Sequence, residues 1–258
     1  MAKRHKVEFS GGSGARLAGI LEMPDQGAPR AYALFAHCFT CGKDVVSASR
    51  IARKLAGLGI AVLRFDFTGL GASEGDFADT NFSSNVRDLL CAADFLHREH
   101  HPVDLLIGHS LGGAAVLAAA GEIEEAKAIV TIAAPADPDH VIKQFACSID
   151  TIEAQGHAEV QLAGRPFTIK KHFLEDLDSH KMGYIRELGR PLLIYHSPVD
   201  QTVSIDEAAE IYNRAMHPKS FISLDHADHL LTRREDADYV ASTLAAWAEP
   251  YLRRAEDK

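Results

Sequence analysis

Ser110 lies at the centre of a Gly-x-Ser-x-Gly pentapeptide that runs from Gly108 to Gly112. The pentapeptide follows a short apolar run and precedes an alanine-rich segment, which is the strand–turn–helix setting that gives this pattern its mechanical meaning. The turn exposes the hydroxyl at the carboxyl end of a strand, and the glycines leave room for neighbouring backbone. Amides at the start of the next helix favour developing negative charge. We therefore predict that Ser110 is a nucleophile.

A serine hydroxyl needs a histidine to accept its proton and a carboxylate to hold that histidine in one tautomer. With the nucleophile in this position, both partners are expected downstream, the acid first. Asp200 follows a later apolar run and is the predicted acid, although a loop or helix-capping role stays open for it. Asp137, which follows the preceding apolar run, is the alternative acid.

Two histidines follow the last apolar run and are candidates for the base. His229 is preferred because it directly precedes a pair of leucines that can anchor the loop. His226 is then expected to be a loop residue that faces solvent. His109 precedes the nucleophile in the turn, so we expect it to pack or hydrogen-bond behind Ser110.

A tetrahedral oxyanion needs two N–H donors. One should be the amide of Leu111, directly after the nucleophile. The other should come from the loop after residues 31–36, where we choose Phe39.

The elements that must position these residues follow a regular alternation. From residue 31 onward, short apolar runs alternate with longer amphipathic runs, which indicates a parallel sheet with helices on both faces. Two earlier segments, 6–9 and 15–22, alternate in the manner of strands around a glycine-rich turn. The sequence therefore predicts one α/β domain over residues 1–258, a doubly wound, mostly parallel sheet with two antiparallel N-terminal strands. Its predicted core strands are residues 31–36, 60–65, 104–107, 128–132, 191–195 and 220–223, and its helices are 46–58, 84–97, 111–120, 204–215 and 236–252.

Residues 135–189 separate two predicted core strands by more than one crossover helix requires. Residues 158–162 and 166–170 flank an Ala-Gly-Arg turn and are predicted to form a hairpin, and 173–177 and 182–188 to form short helices. Long insertions in compact domains are usually functional, so we interpret this one as a lid. Its charged residues argue against long lipid substrates, while Phe167 and Phe173 are candidates to line a small pocket.

The bulk composition excludes some partners. The 258 residues include 36 acidic and 27 basic side chains, for a formal charge of −9, which argues against nucleic acid and anionic membrane surfaces. No apolar run approaches the ~18 residues that span a bilayer. The basic N-terminus is not followed by an apolar stretch, so we expect no secretory signal and a cytoplasmic location. No cofactor or metal is expected, and a homodimer is left open.

Cys38 and Cys41 form a C-x-x-C motif, whose functional interpretations are a redox pair or half of a zinc site. We favour two small, soft loop residues instead, because the sequence has no second C-x-x-C. Cys38 lies beside the proposed oxyanion donor and is also a candidate to contact substrate. Its oxidation is a route by which activity could respond to redox state.

The chain resembles the α/β-hydrolases over nearly its whole length. The similarity rests on the 108–112 pentapeptide, the His37-Cys38-Phe39 loop, the turn at residues 66–73, and the loops that bear Asp200 and His229 in that order. It implies a serine hydrolase triad of Ser110, Asp200 and His229. Residues 37–44, 64–71 and 81–85 look like bacterial hydrolase domains that are often fused to an OsmC-type domain, for which this chain has no room.

These features together predict hydrolysis of a small-molecule carboxylic ester, with small to medium acyl or aryl groups, through an acyl-enzyme. Other acyl-transfer reactions, on thioesters, amides, peracids or C–C bonds, need the same residues and stay open. A catalytically silent ligand-binding domain is the alternative that is not an enzyme.

Overall fold

The computed structural model describes residues 2–38, 40–162, 164–180 and 182–252. Eight strands form one sheet. They are β1 (Lys3–Ser10), β2 (Arg16–Met23), β3 (Ala31–Ala36), β4 (Ile60–Phe65), β5 (Leu105–His109), β6 (Ala128–Ile132), β9 (Leu192–His196) and β10 (Lys219–Ser223). Their order in the sheet is β1-β2-β4-β3-β5-β6-β9-β10. Strand β2 pairs antiparallel with β1 and with β4, and the strands from β3 onward in this sheet pair with one another in parallel, as the sequence predicts.

Helices cover both faces of the sheet because the central strands are apolar on both sides. In β4 and β5 every residue is buried, and alternate side chains belong to two separate core clusters. The helices are α1 (Val46–Gly57), α2 (Phe82–Glu99), α3 (Leu111–Ala119), α6 (Ile205–Arg214) and α7 (Arg234–Leu252). Helices α1 and α7 pack on one of the two clusters, and α2, α3 and α6 pack on the other.

The chain between β6 and β9 forms its own two-stranded sheet and several short helical segments, and its buried apolar side chains join the same core cluster as α2 and α3. It comprises a 3-10 segment (Pro138–Ser148), α4 (Ile149–Gln155), β7 (His157–Leu162), β8 (Arg165–Lys170), α5 (Lys171–Ser179) and a 3-10 turn (Met182–Ile185). Strands β7 and β8 form an antiparallel hairpin where the sequence predicts one. The helical stretch from 138 to 155 was not predicted. Within the described ranges, no helix is both long and apolar enough to cross a bilayer.

Candidate active site

The serine turn joins β5 to α3 and is strained at Ser110. Ser110 has φ 56° and ψ −128°, a backbone conformation that residues other than glycine rarely adopt. A Cβ atom on Gly108 would overlap the carbonyl of Gly112, and one on Gly112 would overlap the carbonyl of His37. The turn is held by Ser110 N, which donates to Ile132 O at 2.9 Å. Only glycine at both flanking positions lets the backbone close this tightly.

The three predicted triad residues meet at the carboxyl edge of the sheet. His229 Nε2 lies 3.0 Å from Ser110 Oγ, and His229 Nδ1 lies 2.8 Å from Asp200 Oδ2. Ser110 and His229 are 119 positions apart in the sequence, and Asp200 and His229 are 29 apart. The three side chains meet because the sheet brings the ends of their strands together. A carboxylate on Nδ1 leaves Nε2 as the acceptor that faces the serine hydroxyl.

Asp200 is held as an anion within its own turn. Its Oδ1 accepts the amides of Thr202 and Val203 at 2.8 and 3.0 Å. Burial opposes ionisation, but the bonds from His229 and from these amides outweigh it and keep the pKa of Asp200 below its usual value. The carboxylate is therefore charged and fixed where it orients the histidine.

The alternatives that the sequence left open lie elsewhere. The Asp137 side chain accepts the amide of Asp139 at the start of the 3-10 segment, so it acts as a cap. His226 is exposed. His109 lies behind the nucleophile as expected, and its Nε2 is 2.7 Å from the carbonyl oxygen of His229.

The predicted oxyanion loop lies against the serine turn. Leu111 begins α3 directly after Ser110, which places its amide at the N-terminus of that helix. Phe39, the other predicted donor, lies outside the described residues. On either side of it, Cys38 and Cys41 form a disulfide, and Cys41 N donates to Cys38 O at 3.2 Å. Thr40 has φ 59°, so the disulfide closes a turn with a strained residue inside it.

Buried charges fix the distal end of the same loop. Lys43 Nζ donates to Asp66 Oδ2 at 2.6 Å, and Lys43 N donates to Asp66 Oδ1 at 2.5 Å. Arg64 donates to the Lys43 carbonyl and to Glu22 Oε1, the latter at 2.8 Å. Arg64, Glu22 and Asp66 are each at most 1% exposed. Water therefore cannot solvate any of these charges if its partner is removed, and the loss of one partner should be costly. The network therefore ties the loop to β2 and β4.

The insertion contacts the oxyanion loop through its hairpin. Arg165 donates to the Thr40 carbonyl, and its guanidinium lies 5.3 Å from the centre of the Phe167 ring. Phe167 packs on Phe77 at 4.7 Å between ring centres. Phe77, Cys38 and the first residues of α3 line a narrow cavity.

The three residues predicted to contact substrate therefore differ in position. Cys38 lines that cavity, whereas Phe167 does not line it and packs against its lining residue Phe77. Phe173 is 2% exposed and lies in the core, 6.2 Å from Phe145 between ring centres. The apolar face of α5 turns inward, which is why Phe173 packs there.

No positioning role was assigned from the sequence to two buried histidines beside the site, His37 and His196. Both stand at the carboxyl end of a predicted core strand, and that placement is the signal that could have found them. Within the described ranges, no group of three or more His, Cys, Asp or Glu side chains is arranged to hold a metal ion.

Known proteins with similar sequences are hydrolases. A palmitoyl-protein thioesterase, ABHD10, of Rattus norvegicus is 25% identical over 217 residues, which cover 79% of this chain and 69% of that protein. For the mouse and human forms the coverage of the relative is 65% and 63%. The chain thus spans about two thirds of these relatives, whose names include the word mitochondrial.

Solved structures extend the similarity over the whole chain. The esterase domain of a Rhodothermus marinus protein is 49% identical, with a TM-score of 0.80, and the match covers 97% of this chain and 100% of that one. Est1E from Butyrivibrio proteoclasticus with bound ferulic acid is 19% identical, with a TM-score of 0.79 and coverage of 96% and 100%, and supports the fold alone.

A family model described as serine aminopeptidase, S33, matches residues 27–181. The matched region runs from β3 through the serine turn into the insertion. Because it covers more than half of the sequence, the chain belongs to this family within the α/β-hydrolase superfamily of serine hydrolases.

Proposed function

We propose that this chain hydrolyses carboxylic esters of small to medium acyl or aryl groups through an acyl-enzyme on Ser110. The observation that carries the proposal is the hydrogen-bonded series from Ser110 through His229 to Asp200. The similarity to a domain named as an esterase, at 49% identity, supports the ester as the substrate class. We propose residues 135–189 as a lid, supported by the contacts of its hairpin with the oxyanion loop.

The proposed chemistry follows from the protonation state of His229. Because Nδ1–H donates a hydrogen bond to the Asp200 carboxylate, Nε2 carries no proton and can take that of Ser110 as Oγ bonds to the carbonyl carbon. The amide of Leu111, with that of Phe39 as the second donor, stabilises the oxyanion. When the tetrahedral intermediate collapses, the C–O bond to the alcohol breaks and the alcohol takes the proton from His229. Water then attacks the acyl-enzyme by the same route and releases the acid and free Ser110.

The test is a series of p-nitrophenyl esters from acetate to palmitate, with Ser110→Ala as the control. We expect turnover that is greatest for short and medium chains and absent in the variant. A fluorophosphonate probe should label the wild type and not Ser110→Ala. A wild-type protein that neither reacts with the probe nor turns over any ester would contradict the proposal and favour the silent binding domain.

Thioester hydrolysis is the second candidate, because the curated relatives that match most of the chain are named as palmitoyl-protein thioesterases. An oxygen and a sulfur ester of one acid separate the two candidates, since only the leaving atom differs. Phenyl butyrate and S-phenyl thiobutyrate form such a pair, and the palmitoyl pair tests chain length. A thioester kcat/KM that exceeds that of the matched ester by more than about tenfold would favour the thioesterase.

A further inference from the structure

Three buried histidines lie at the carboxyl edge of the sheet, two of them at the adjacent strands β3 and β5 and the third at β9, beyond β6. His37 directly follows β3, His109 ends β5 and His196 ends β9. Their exposed fractions are 2%, 3% and 0%. None of the three is a member of the proposed triad.

Each of these rings lies within hydrogen-bond distance of a carbonyl oxygen in a different loop of the site. His109 Nε2 is 2.7 Å from His229 O in the base loop, and His196 Nε2 is 2.8 Å from Val203 O in the acid loop. His37 Nδ1 is 2.9 Å from Cys38 O in the oxyanion loop. A carbonyl oxygen only accepts, so the ring nitrogen at each contact must carry the proton.

Burial keeps these rings neutral. Desolvation lowers the pKa of all three histidines, and it lowers that of His109 to about 3. A neutral imidazole has a single N–H, and here that N–H is used on a loop carbonyl. Because a neutral donor adds no charge, it does not oppose the imidazolium that forms on His229, whose ring centre is 5.2 Å from that of His109.

We infer that His109, His196 and His37 are positioning residues that bond main-chain carbonyls of the site. His109 and His196 each fix a loop that lies further along the chain, and His37 fixes the carbonyl of Cys38, the next residue, at the start of the oxyanion loop. The inference rests on the proposed function. His109 adjoins Ser110 and bonds the main chain of His229, so one contact sets the distance between nucleophile and base. His196 begins the acid loop and bonds Val203 near its end, and the amide of Val203 in turn donates to Asp200.

Substitution of each histidine by glutamine and by asparagine provides a matched test. The side-chain NH₂ of glutamine can reach the position of the histidine Nε2, and that of asparagine can reach the position of Nδ1. At positions 109 and 196 the bond uses Nε2, so Gln should retain kcat and Asn should lower it by about tenfold to a hundredfold, with little change in KM. At position 37 the bond uses Nδ1, so the order should reverse, with Asn retaining kcat and Gln lowering it.

Rates are counted per active site, titrated to completion with a fluorophosphonate, so that a smaller folded fraction does not lower them. His226→Gln, an exposed histidine in the base loop, is the control and should match the wild type. The reversal at position 37 separates positioning from burial, since a role in packing alone predicts one order at all three positions. The inference would be overturned if the same variant, Asn or Gln, had the higher kcat at all three positions. It would also be overturned if the kcat values of the Asn and Gln variants lay within about twofold of each other at positions 109 and 196. An unreactive wild type would instead overturn the proposed function.

Discussion

Replacement of His109 by glutamine should make folding measurably less sensitive to acid. The His109 side chain is 3% exposed, and burial lowers its pKa from 6.5 to about 3. The unfolded chain therefore binds a proton at this residue below about pH 6.5, whereas the folded chain does not until about pH 3. The stability that this residue contributes is present above pH 6.5 and is lost as the pH falls toward 3.

The size of the effect follows from the difference between the two pKa values. Each pH unit below about 6.5 removes about 1.4 kcal/mol from the free energy of unfolding. Between pH 7.5 and pH 4.5 the loss through His109 is therefore about 3 kcal/mol. The total free energy of unfolding of a domain is about 5–15 kcal/mol, so a loss of this size is easily measured.

The assay is urea unfolding of the wild type and His109→Gln at several pH values between 7.5 and 4.5. His37 and His196 titrate in both proteins, so they cancel in the difference. The wild type should lose about 3 kcal/mol more than the variant over this range, and the exposed-site control His226→Gln should follow the wild type. Parallel curves for the wild type and His109→Gln would refute the reasoning, because they would mean that the buried ring takes up its proton in the folded state.

Three further predictions concern the turns of the site. Asp200→Asn should lower kcat by about 10⁴-fold with little change in KM, because an amide stabilises the wrong tautomer of the histidine, and Asp137→Asn is the matched control that should leave kcat unchanged in the same ester assay. Replacement of both Cys38 and Cys41 by serine should lower the free energy of unfolding in urea by about 2 kcal/mol, the chain-entropy value for so short a loop, and an unchanged midpoint would contradict this. Gly112→Ala should abolish fluorophosphonate labelling, because the added methyl group overlaps the backbone after β3, and normal labelling would show that the turn can widen.

The predicted strands and helices agree with the structure wherever a local pattern was strong. Predominantly apolar runs such as residues 60–65, in which Arg64 is the one charged residue, become buried parallel strands, since both faces of those strands are covered. The serine turn was also readable, because its Gly-x-Ser-x-Gly pattern is contiguous in the sequence. The space that Gly108 leaves is taken by the backbone of the turn itself, whereas the space that Gly112 leaves is taken by the backbone of Ala36 and His37. The helical stretch at 138–155 has no such pattern. Much of it is 3-10 helix, which lacks the regular apolar spacing of a longer amphipathic helix.

The candidate site was only partly visible in the sequence for a related reason. Asp137 and Asp200 follow β6 and β9, which are neighbours in the sheet, so both end at the same edge and both were candidates. Chain order alone permits both, and Asp200 was the predicted acid. In the structure its loop places the carboxylate 2.8 Å from His229, and a distance between two loops 29 residues apart is set only by the fold.

The sequence by itself determined the α/β architecture, the serine turn and the order in which nucleophile, acid and base follow one another. The architecture and the serine turn depend on residue types and spacing within single elements, and the order of the three residues is a property of the chain itself. Folding changes neither. Only the tertiary structure decided that Cys38 and Cys41 are joined, that Phe173 lies in the core, and that three neutral histidines bond the loops of the site. The bond between His109 and His229 spans 120 positions, and a hydrogen bond of that range exists only after the sheet has brought its strand ends together.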